Sequence, residues 1–204
     1  MKKVILTIAV SVMILLAGKT YAQITFHAGW QDAMYKAKSS YNYYDEEGFN
    51  RTQTVENKVS LTGFYAGATY DIDLGMASIF VTPGAELSYC TYKEDDWDLN
   101  QLDLRLRLWG RWNKSLTEEM VFGVFVGPSL NIGLSGNVYE EDDGDLKRFD
   151  LGLTFGAQLR YNRIGVEAGY NLGLLNRFKN SSEYEGLDAS IKFHTVFVGL
   201  NFII

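Results

Sequence analysis

The sequence predicts an all-β protein: an eight-stranded antiparallel up-and-down barrel that follows a cleaved N-terminal segment. Three observations carry this prediction. The N-terminal segment has the parts of a secretory signal peptide, long stretches of the chain alternate apolar and polar residues, and the connections between these stretches are long and short in turn. Alternation with a period of two places successive side chains on opposite faces of a strand, so each stretch has one apolar face.

Composition restricts the class of protein. The chain has 204 residues, of which 14% are aromatic, with 20 Gly and only 2 Pro, and this mixture excludes disordered, collagen-like and proline-rich chains. A formal charge of −6 without a basic stripe argues against nucleic-acid binding. The only cysteine, Cys90, excludes an internal disulfide framework, and two histidines, His27 and His194, leave little material for metal or acid–base chemistry.

The N-terminal segment is predicted to be a signal peptide. Residues 1–3 form a positive head, residues 4–18 are apolar with two polar interruptions, and residues 20–22 resemble a small-residue cleavage site. The apolar run of about 15 residues is shorter than the roughly 20 that span a bilayer as a helix. We expect cleavage between Ala22 and Gln23. The predicted domains are therefore a signal peptide, residues 1–22, and an outer-membrane β-barrel domain, residues 23–204.

The first three predicted strands cover residues 24–37, 58–70 and 78–92. The first begins with one apolar face and loses this phase after Gln31, and the second alternates clearly only from Phe64 onward. The third is regular along its length and has these residues on its apolar face: Ile79, Val81, Pro83, Ala85, Leu87 and Tyr89.

The next three predicted strands cover residues 101–112, 120–135 and 148–161. In the fourth strand, Leu102, Leu104, Leu106 and Leu108 share one face. The other face carries Gln101, Asp103, Arg105, Arg107 and Arg111, with Trp109 among them. In the fifth and sixth strands, one face is apolar and the other carries mainly glycines and polar residues. Pro83 and Pro128 lie in mid-strand, where a missing N–H predicts a β-bulge at each.

The last two predicted strands cover residues 164–175 and 189–204. In the eighth strand, Lys192 and His194 have the same parity as the apolar Val196 and Val198, which predicts a bulge near Thr195. The connections alternate along the chain: long ones cover residues 38–53, 93–98, 136–147 and 176–188, and short ones cover residues 71–75, 113–118 and 162–163. This order is typical of outer-membrane barrels with long extracellular loops and short periplasmic turns.

Alternation alone does not say which face is outside, because a soluble barrel has its apolar face inside and a membrane barrel has it outside. Strands of about 12–16 residues are long enough for a tilted membrane crossing. Glycines crowd the polar face, and lysines lie mainly in connections. Aromatic residues mark the strand ends on the apolar face, as in an interfacial girdle: Tyr70, Trp112, Phe122, Tyr161 and Phe202. We therefore expect an apolar face in contact with lipid and localisation in the outer membrane.

Three stretches carry a family resemblance: the signal ending at residues 21–23, residues 81–89 and residues 123–133. They resemble small outer-membrane β-barrels of the porin-family, PorT-like or OmpX-like kind, over the whole chain after residue 22. The resemblance implies an eight-stranded barrel and no particular ligand. The chain departs from this family pattern at Ile204, because many such barrels end in an aromatic residue that the assembly machinery recognises.

The inward face carries nine charged residues: Glu86, Asp103, Arg105, Arg107, Arg111, Arg148, Asp150, Arg160 and Glu167. They could form an ion path or a ligand site. Eight strands, however, enclose an interior only wide enough for side chains, and guanidinium and carboxylate groups satisfy each other there. We therefore predict a side-chain-filled lumen.

The long connections are acidic, and a solvated surface explains them better than a Ca²⁺ site does. The first connection adds Tyr41, Tyr43, Tyr44 and Phe49, a patch suited to adhesion. An enzyme would need more than His27 and His194, since nothing else completes a catalytic triad. We therefore expect a monomeric, non-enzymatic barrel without cofactor or metal, acting in envelope structure or surface interaction. Its expected partners are outer-membrane lipid and lipopolysaccharide, the barrel-assembly machinery, and a surface ligand bound by the acidic and tyrosine-rich loops. A lipid-modifying enzyme and a narrow ion or solute channel are the alternatives.

Overall fold

The computed structural model of the chain describes residues 23–44, 49–75, 78–94, 97–139, 146–178 and 188–204. The predicted signal peptide and most of the acidic loop residues lie outside these ranges. Within them, no helix is long and apolar enough to cross a membrane.

The described residues form a closed barrel of antiparallel strands. The strands are β1 (Gln23–Tyr44), β2 (Asn50–Asp73), β3 (Ile79–Glu94), β4 (Trp97–Ser115), β5 (Met120–Ser135), β6 (Phe149–Tyr161), β7 (Ile164–Gly173) and β8 (Asp188–Ile203). A turn of 3-10 helix, Asn137–Tyr139, follows β5. Each strand pairs with the next one in the chain, and β8 pairs with β1. The prediction of an eight-stranded up-and-down barrel is thus confirmed.

The polarity of the two faces is inverted relative to a soluble protein. Outward side chains of the central strands are apolar and exposed, as Leu106 (39%), Leu108 (50%) and Val126 (53%) illustrate. Inward side chains are buried and largely polar, including Glu86 and Arg105 in mid-strand. A soluble barrel buries its apolar face, whereas a barrel in lipid exposes it. The apolar band around this barrel, which we call the apolar belt, is therefore its lipid-facing surface.

Strands β1 and β8 keep one register along their whole pairing, from Thr25 opposite Ile203 to Ser40 opposite Asp188. The predicted bulge near Thr195 is therefore wrong, and so is the predicted loss of phase after Gln31. Lys192 and His194 have the outward parity of Val196; Lys192 is exposed, whereas His194 is buried against the ring of Tyr170. The change of polarity thus marks the point at which the strand leaves lipid.

The bulges predicted at the two prolines are also wrong. Pro83 lies opposite Leu108 and Pro128 lies opposite Leu153 in uninterrupted registers. On the other side of each proline the ladder omits two residue pairs and then resumes in the same register. A missing N–H therefore interrupts pairing locally and inserts no residue. Among the described pairings, a register shift occurs between β4 and β5, where Leu102 and Asp103 of β4 lie opposite Ser135 and Gly133, so that Leu134 of β5 is the extra residue.

Two connections that were predicted to be long are mostly strand. β1 continues to Tyr44 and β2 begins at Asn50, while β3 ends at Glu94 and β4 begins at Trp97. Because β1 and β2 are longer than predicted, they form a hairpin extension, which we define as residues 34–44 and 50–60. Both of its faces carry polar residues, so it lacks the alternation that reveals a strand. We call its end of the barrel the loop end and the opposite end, with Gln23 and Ile204, the terminus end.

Candidate functional site: the charged lumen

The centre of the lumen is a buried carboxylate between two guanidinium groups. Nη1 of Arg105 donates a hydrogen bond of 2.7 Å to Oε1 of Glu86, and Arg107 forms an ion pair with Oε2. Arg105 also donates through Nε to Oδ1 of Asn131 at 2.7 Å. All these side chains are buried. Burial of a charge is costly unless it is paired and hydrogen-bonded, so these groups depend on each other.

Arg107 also lies against a cluster of buried rings, Tyr65, Trp109, Phe125 and Phe197, which we call the lumen aromatic cluster. The guanidinium carbon of Arg107 is 4.6 Å from the centroid of Trp109 and 5.1 Å from that of Phe197. A cation over an aromatic face is attracted by the ring quadrupole. Alternation places Trp109 and Phe125 on the inward faces of β4 and β5, whereas Tyr65 and Phe197 were missed as lumen contents, although each has the parity of the inward-facing residues on its own strand.

Towards the terminus end, Asp71 holds a second ion pair. Nη1 of Arg111 donates to Oδ2 of Asp71 at 2.8 Å, and the hydroxyl of Thr82 donates to Oδ1 at 2.7 Å. Asp71 was assigned to a turn and missed as a lumen residue, because β2 extends further than its apolar pattern. The lumen is thus crossed by an ion pair near this end.

His27 belongs to a separate group. Its Nδ1 is 3.3 Å from Oε1 of Glu167, which also accepts a hydrogen bond of 3.0 Å from the hydroxyl of Tyr65. His27 points into the lumen opposite Asn201, whereas His194 points outward opposite Met34. The structure therefore does not bring the two histidines together, as a catalytic pair at the edge of the membrane would require.

At the loop end, three side chains from the connections enter the lumen: Val138, Tyr139 and Arg177, which we call the lumen plug. The hydroxyl of Tyr139 donates to Oδ1 of Asp103 at 2.5 Å and accepts a hydrogen bond of 3.1 Å from Nη2 of Arg177. Gln101 donates to the other oxygen of Asp103 at 2.7 Å. The plug closes the lumen between the ends of β4 and β5.

The structure places most of the nine predicted lumen charges inside the barrel. Buried there are Glu86, Asp103, Arg105, Arg107, Arg111, Asp150 and Glu167, and Arg160 is partly buried. Arg148 is exposed at the rim, where its Nη1 donates to the carbonyl oxygen of Leu134 at 3.2 Å. The guanidinium carbon of Arg148 is 5.5 Å from the centroid of the Tyr139 ring, so Arg148 lies at the mouth of the lumen and not in its interior.

In the described part of the chain, no three His, Cys, Asp or Glu side chains lie close enough together to hold a metal ion. The acidic runs at residues 45–47 and 140–145, for which a solvated surface was predicted rather than a Ca²⁺ site, lie outside the described residues.

No protein-family model matches the chain, and no curated protein matches it by sequence. Three similar solved structures are outer-membrane or surface proteins of other bacteria. The first is Ail, the attachment invasion locus protein of Yersinia pestis, in complex with the heparin analogue sucrose octasulfate (13% identity, 90% of this chain and 99% of that chain, TM-score 0.43). The others are the outer membrane protein OprG from Pseudomonas aeruginosa (9%, 92% and 98%, 0.47) and Neisserial surface protein A (12%, 87% and 96%, 0.43).

At these identities the likeness concerns the barrel fold alone, so the class of this protein rests on its own geometry. Its sheet closes on itself, its outer face is apolar and exposed, and its lumen is filled by paired charges and rings. A closed barrel with lipid-facing apolar residues is the form in which β-structure spans a bacterial outer membrane. The chain is a small eight-stranded β-barrel protein of the outer membrane.

Proposed function

We propose that the protein is a non-enzymatic surface-interaction protein whose filled barrel anchors the hairpin extension outside the cell. The observation that carries this proposal is an unpaired strand edge. β1 and β2 pair as far as Tyr44 and Asn50, but pairing of β2 with β3 begins only at Thr62, opposite Thr91. Among the described residues, no strand pairs with the second edge of β2 over residues 54–61.

The orientation follows the general rule for these barrels. Short turns lie in the periplasm and longer connections lie outside. The terminus end has the short turns, which join β2 to β3, β4 to β5 and β6 to β7. The hairpin extension therefore faces the exterior, where a partner meets it. We also propose that the barrel domain begins at Gln23 after removal of a signal peptide, so the intact mass of the envelope protein should correspond to residues 23–204.

An unpaired edge presents a row of backbone N–H and C=O groups to any extended segment. Strand addition of this kind is a common mode of peptide recognition, in which main-chain hydrogen bonds supply affinity and alternate side chains supply specificity. We propose an extended polypeptide of a partner protein as the ligand of this edge. The lumen supports an anchoring role, because its plug and ion pairs leave the centre filled rather than open.

The experiment is a register-preserving truncation of the hairpin. Residues 38–56 are replaced by Asn-Gly, so that Ala37 and Asn57, which lie directly opposite each other, flank a two-residue turn and the unpaired edge of β2 is shortened to residues 57–61. Whole cells with the truncated protein should lose adhesion to immobilised matrix protein, while heat-modified gel mobility stays that of a folded barrel. Unchanged adhesion with a folded barrel would contradict the proposal. An altered lipid A in cells that carry the gene would favour the enzymatic alternative instead.

A further inference from the structure

Three lysines form a row across the outer face of three adjacent strands. Lys36 of β1 lies directly opposite Lys58 of β2 on one side and opposite Lys192 of β8 on the other. All three side chains are exposed, and we call them the lysine row. Like charges directly opposite each other in a sheet repel and are destabilising. The row therefore lowers the stability of the free barrel unless an anion lies on it.

Among the described residues, one carboxylate, that of Glu56, lines the same pocket as the row and is attracted by Lys58 and Lys36, so it offsets only part of the charge of the three lysines. Glu56 is the acidic residue nearest to the row in register, and its Oε1 is already paired with Nζ of Lys38 at 2.6 Å. This hydrogen bond lowers the pKa of Glu56 and keeps the carboxylate charged. Asp32 accepts a hydrogen bond of 2.6 Å from Ser60. No carboxylate in the described ranges forms an ion pair with a member of the row.

The height of the row on the barrel indicates what reaches it. A tilted strand needs about 9–11 residues to cross the bilayer. Counted from Ile24 at the terminus end, this length ends at residues 32–34 of β1, at the level of the hydrogen bond between Asp32 and Ser60. Lys36 is the next outward residue, so the row lies at the level of the lipid headgroups.

An apolar groove lies on the same side of the barrel, over β1, β2, β7 and β8, closer to the terminus end than the row. It has a volume of about 500 Å³ and is lined on its outer side by Trp30, Phe64 and Val198. Trp30 lies opposite both Phe64 and Val198 in the two ladders. Trp30 in the groove precedes Lys36 by six residues, about 20 Å along the strand, and the outward-facing Asp32 and Met34 lie between them. A cationic row above an apolar groove matches a molecule that has a phosphate above acyl chains.

We propose that the lysine row binds the phosphate group of an outer-leaflet lipid whose acyl chains lie in this groove. The inference goes beyond adhesion and rests on the proposed orientation, which puts the loop end outside. Juxtamembrane lysines attract anionic lipid by an amount that corresponds to about fivefold in affinity for each charge. Their long apolar stems allow the ammonium groups to reach the headgroup while the sheet stays at the boundary.

The test compares two lipids around the protein purified from outer membranes. The protein is reconstituted in phosphatidylcholine nanodiscs that contain a small fraction of bisphosphorylated lipid A or of the dephosphorylated form, and the lipid that remains bound is measured by native mass spectrometry. We expect enrichment of the phosphorylated form alone. The triple variant Lys36→Gln, Lys58→Gln, Lys192→Gln should lose about fivefold for each lysine. The control Lys114→Gln, which changes an exposed lysine at the terminus end, should retain the enrichment.

Several outcomes would overturn the proposal. Equal enrichment of the dephosphorylated lipid would show that the lysine row does not recognise the phosphate. Undiminished enrichment of phosphorylated lipid A in the triple variant would show the same. Displacement of bound lipid A by millimolar inorganic phosphate would identify free phosphate as the ligand. Loss of heparin binding in the triple variant with unchanged lipid binding would identify a sulfated polysaccharide instead.

A second readout does not depend on retained lipid. In neutral detergent the triple variant should melt at a higher temperature than the wild type, because repulsion within the row is gone. In nanodiscs with phosphorylated lipid A this order should reverse, and the same order in both media would contradict the proposal. The truncated hairpin keeps all three lysines, so its lipid enrichment should equal that of the wild type even if its adhesion does not change.

Discussion

The ring of Tyr139 lies over Gly133, in the space that a Cβ atom on residue 133 would occupy. Tyr139 belongs to the connection after β5, and Gly133 belongs to β5 itself. Because glycine has no side chain, the ring can enter the barrel and its hydroxyl can reach Asp103. The lumen plug therefore depends on the smallest residue in its path.

Gly133→Val should expel the plug. Overpacking at a close-packed site costs about 1–3 kcal/mol, and displacement of Tyr139 would open the loop end to water. In planar bilayers the wild type should give no large, stable conductance, while the variant should give small fluctuating currents and a lower urea midpoint. Gly110→Val is the control, since a Cβ there has its nearest neighbour at 3.7 Å. Wide, steady channels from the wild type would show that the lumen is not filled.

Glu86→Gln should destabilise the barrel strongly. The change removes the negative charge that both Arg105 and Arg107 contact, and loss of one partner from a buried ion pair costs about 3–5 kcal/mol. The measurement is the free energy of unfolding in urea from lipid vesicles. Glu56→Gln removes an exposed carboxylate that pairs with Lys38, and it should change little. Similar small effects at both positions would contradict the central role of Glu86.

Leu106→Arg should destabilise the barrel by an amount that depends on depth in the bilayer. Leu106 is outward-facing in mid-strand, where a charge costs about 2–4 kcal/mol. Trp112→Arg, on the same face near the terminus end, should cost only about 0–1 kcal/mol. Unfolding titrations in vesicles compare the two. Stable monomeric folding of residues 23–204 in buffer without lipid or detergent would overturn the membrane assignment.

Protease added to intact cells should cut within residues 136–147 or 176–188, because these connections belong to the loop end. Mass spectrometry of the fragments locates the cuts. The turn at residues 116–119 should be protected until the outer membrane is breached. Cuts at residues 116–119 in intact cells would reverse the proposed orientation.

The number of strands and the two faces could be predicted from sequence because lipid contact requires an apolar residue at every second position. The same rule fails beyond the hydrocarbon. Lys36 and Lys192 continue the outward face of their strands, but water and headgroups accept polar residues there, so the pattern resembles a loop or a bulge. The predicted bulges at Pro83 and Pro128 failed because a barrel tolerates a local gap in one ladder while the other ladder holds the register.

The lumen could be predicted only in part. Parity places Glu86, Arg105 and Arg107 inside, since all three lie on regular strands. It carries no information about Tyr139 and Arg177, because these residues lie in connections where no period applies. Which carboxylate pairs with which guanidinium depends on how neighbouring strands align, and a single sequence does not contain that alignment.

The pairing between β1 and β8 has a mechanical consequence. This closing seam runs from Thr25 to Ser40 along β1, well past the apolar belt, whereas β8 pairs with β7 only from Ile164 to Leu172 of β7. A barrel pulled apart sideways yields where the fewest backbone hydrogen bonds resist. The junction of the first and last strands is therefore reinforced against shear, and sideways rupture should begin beside the short strand β7.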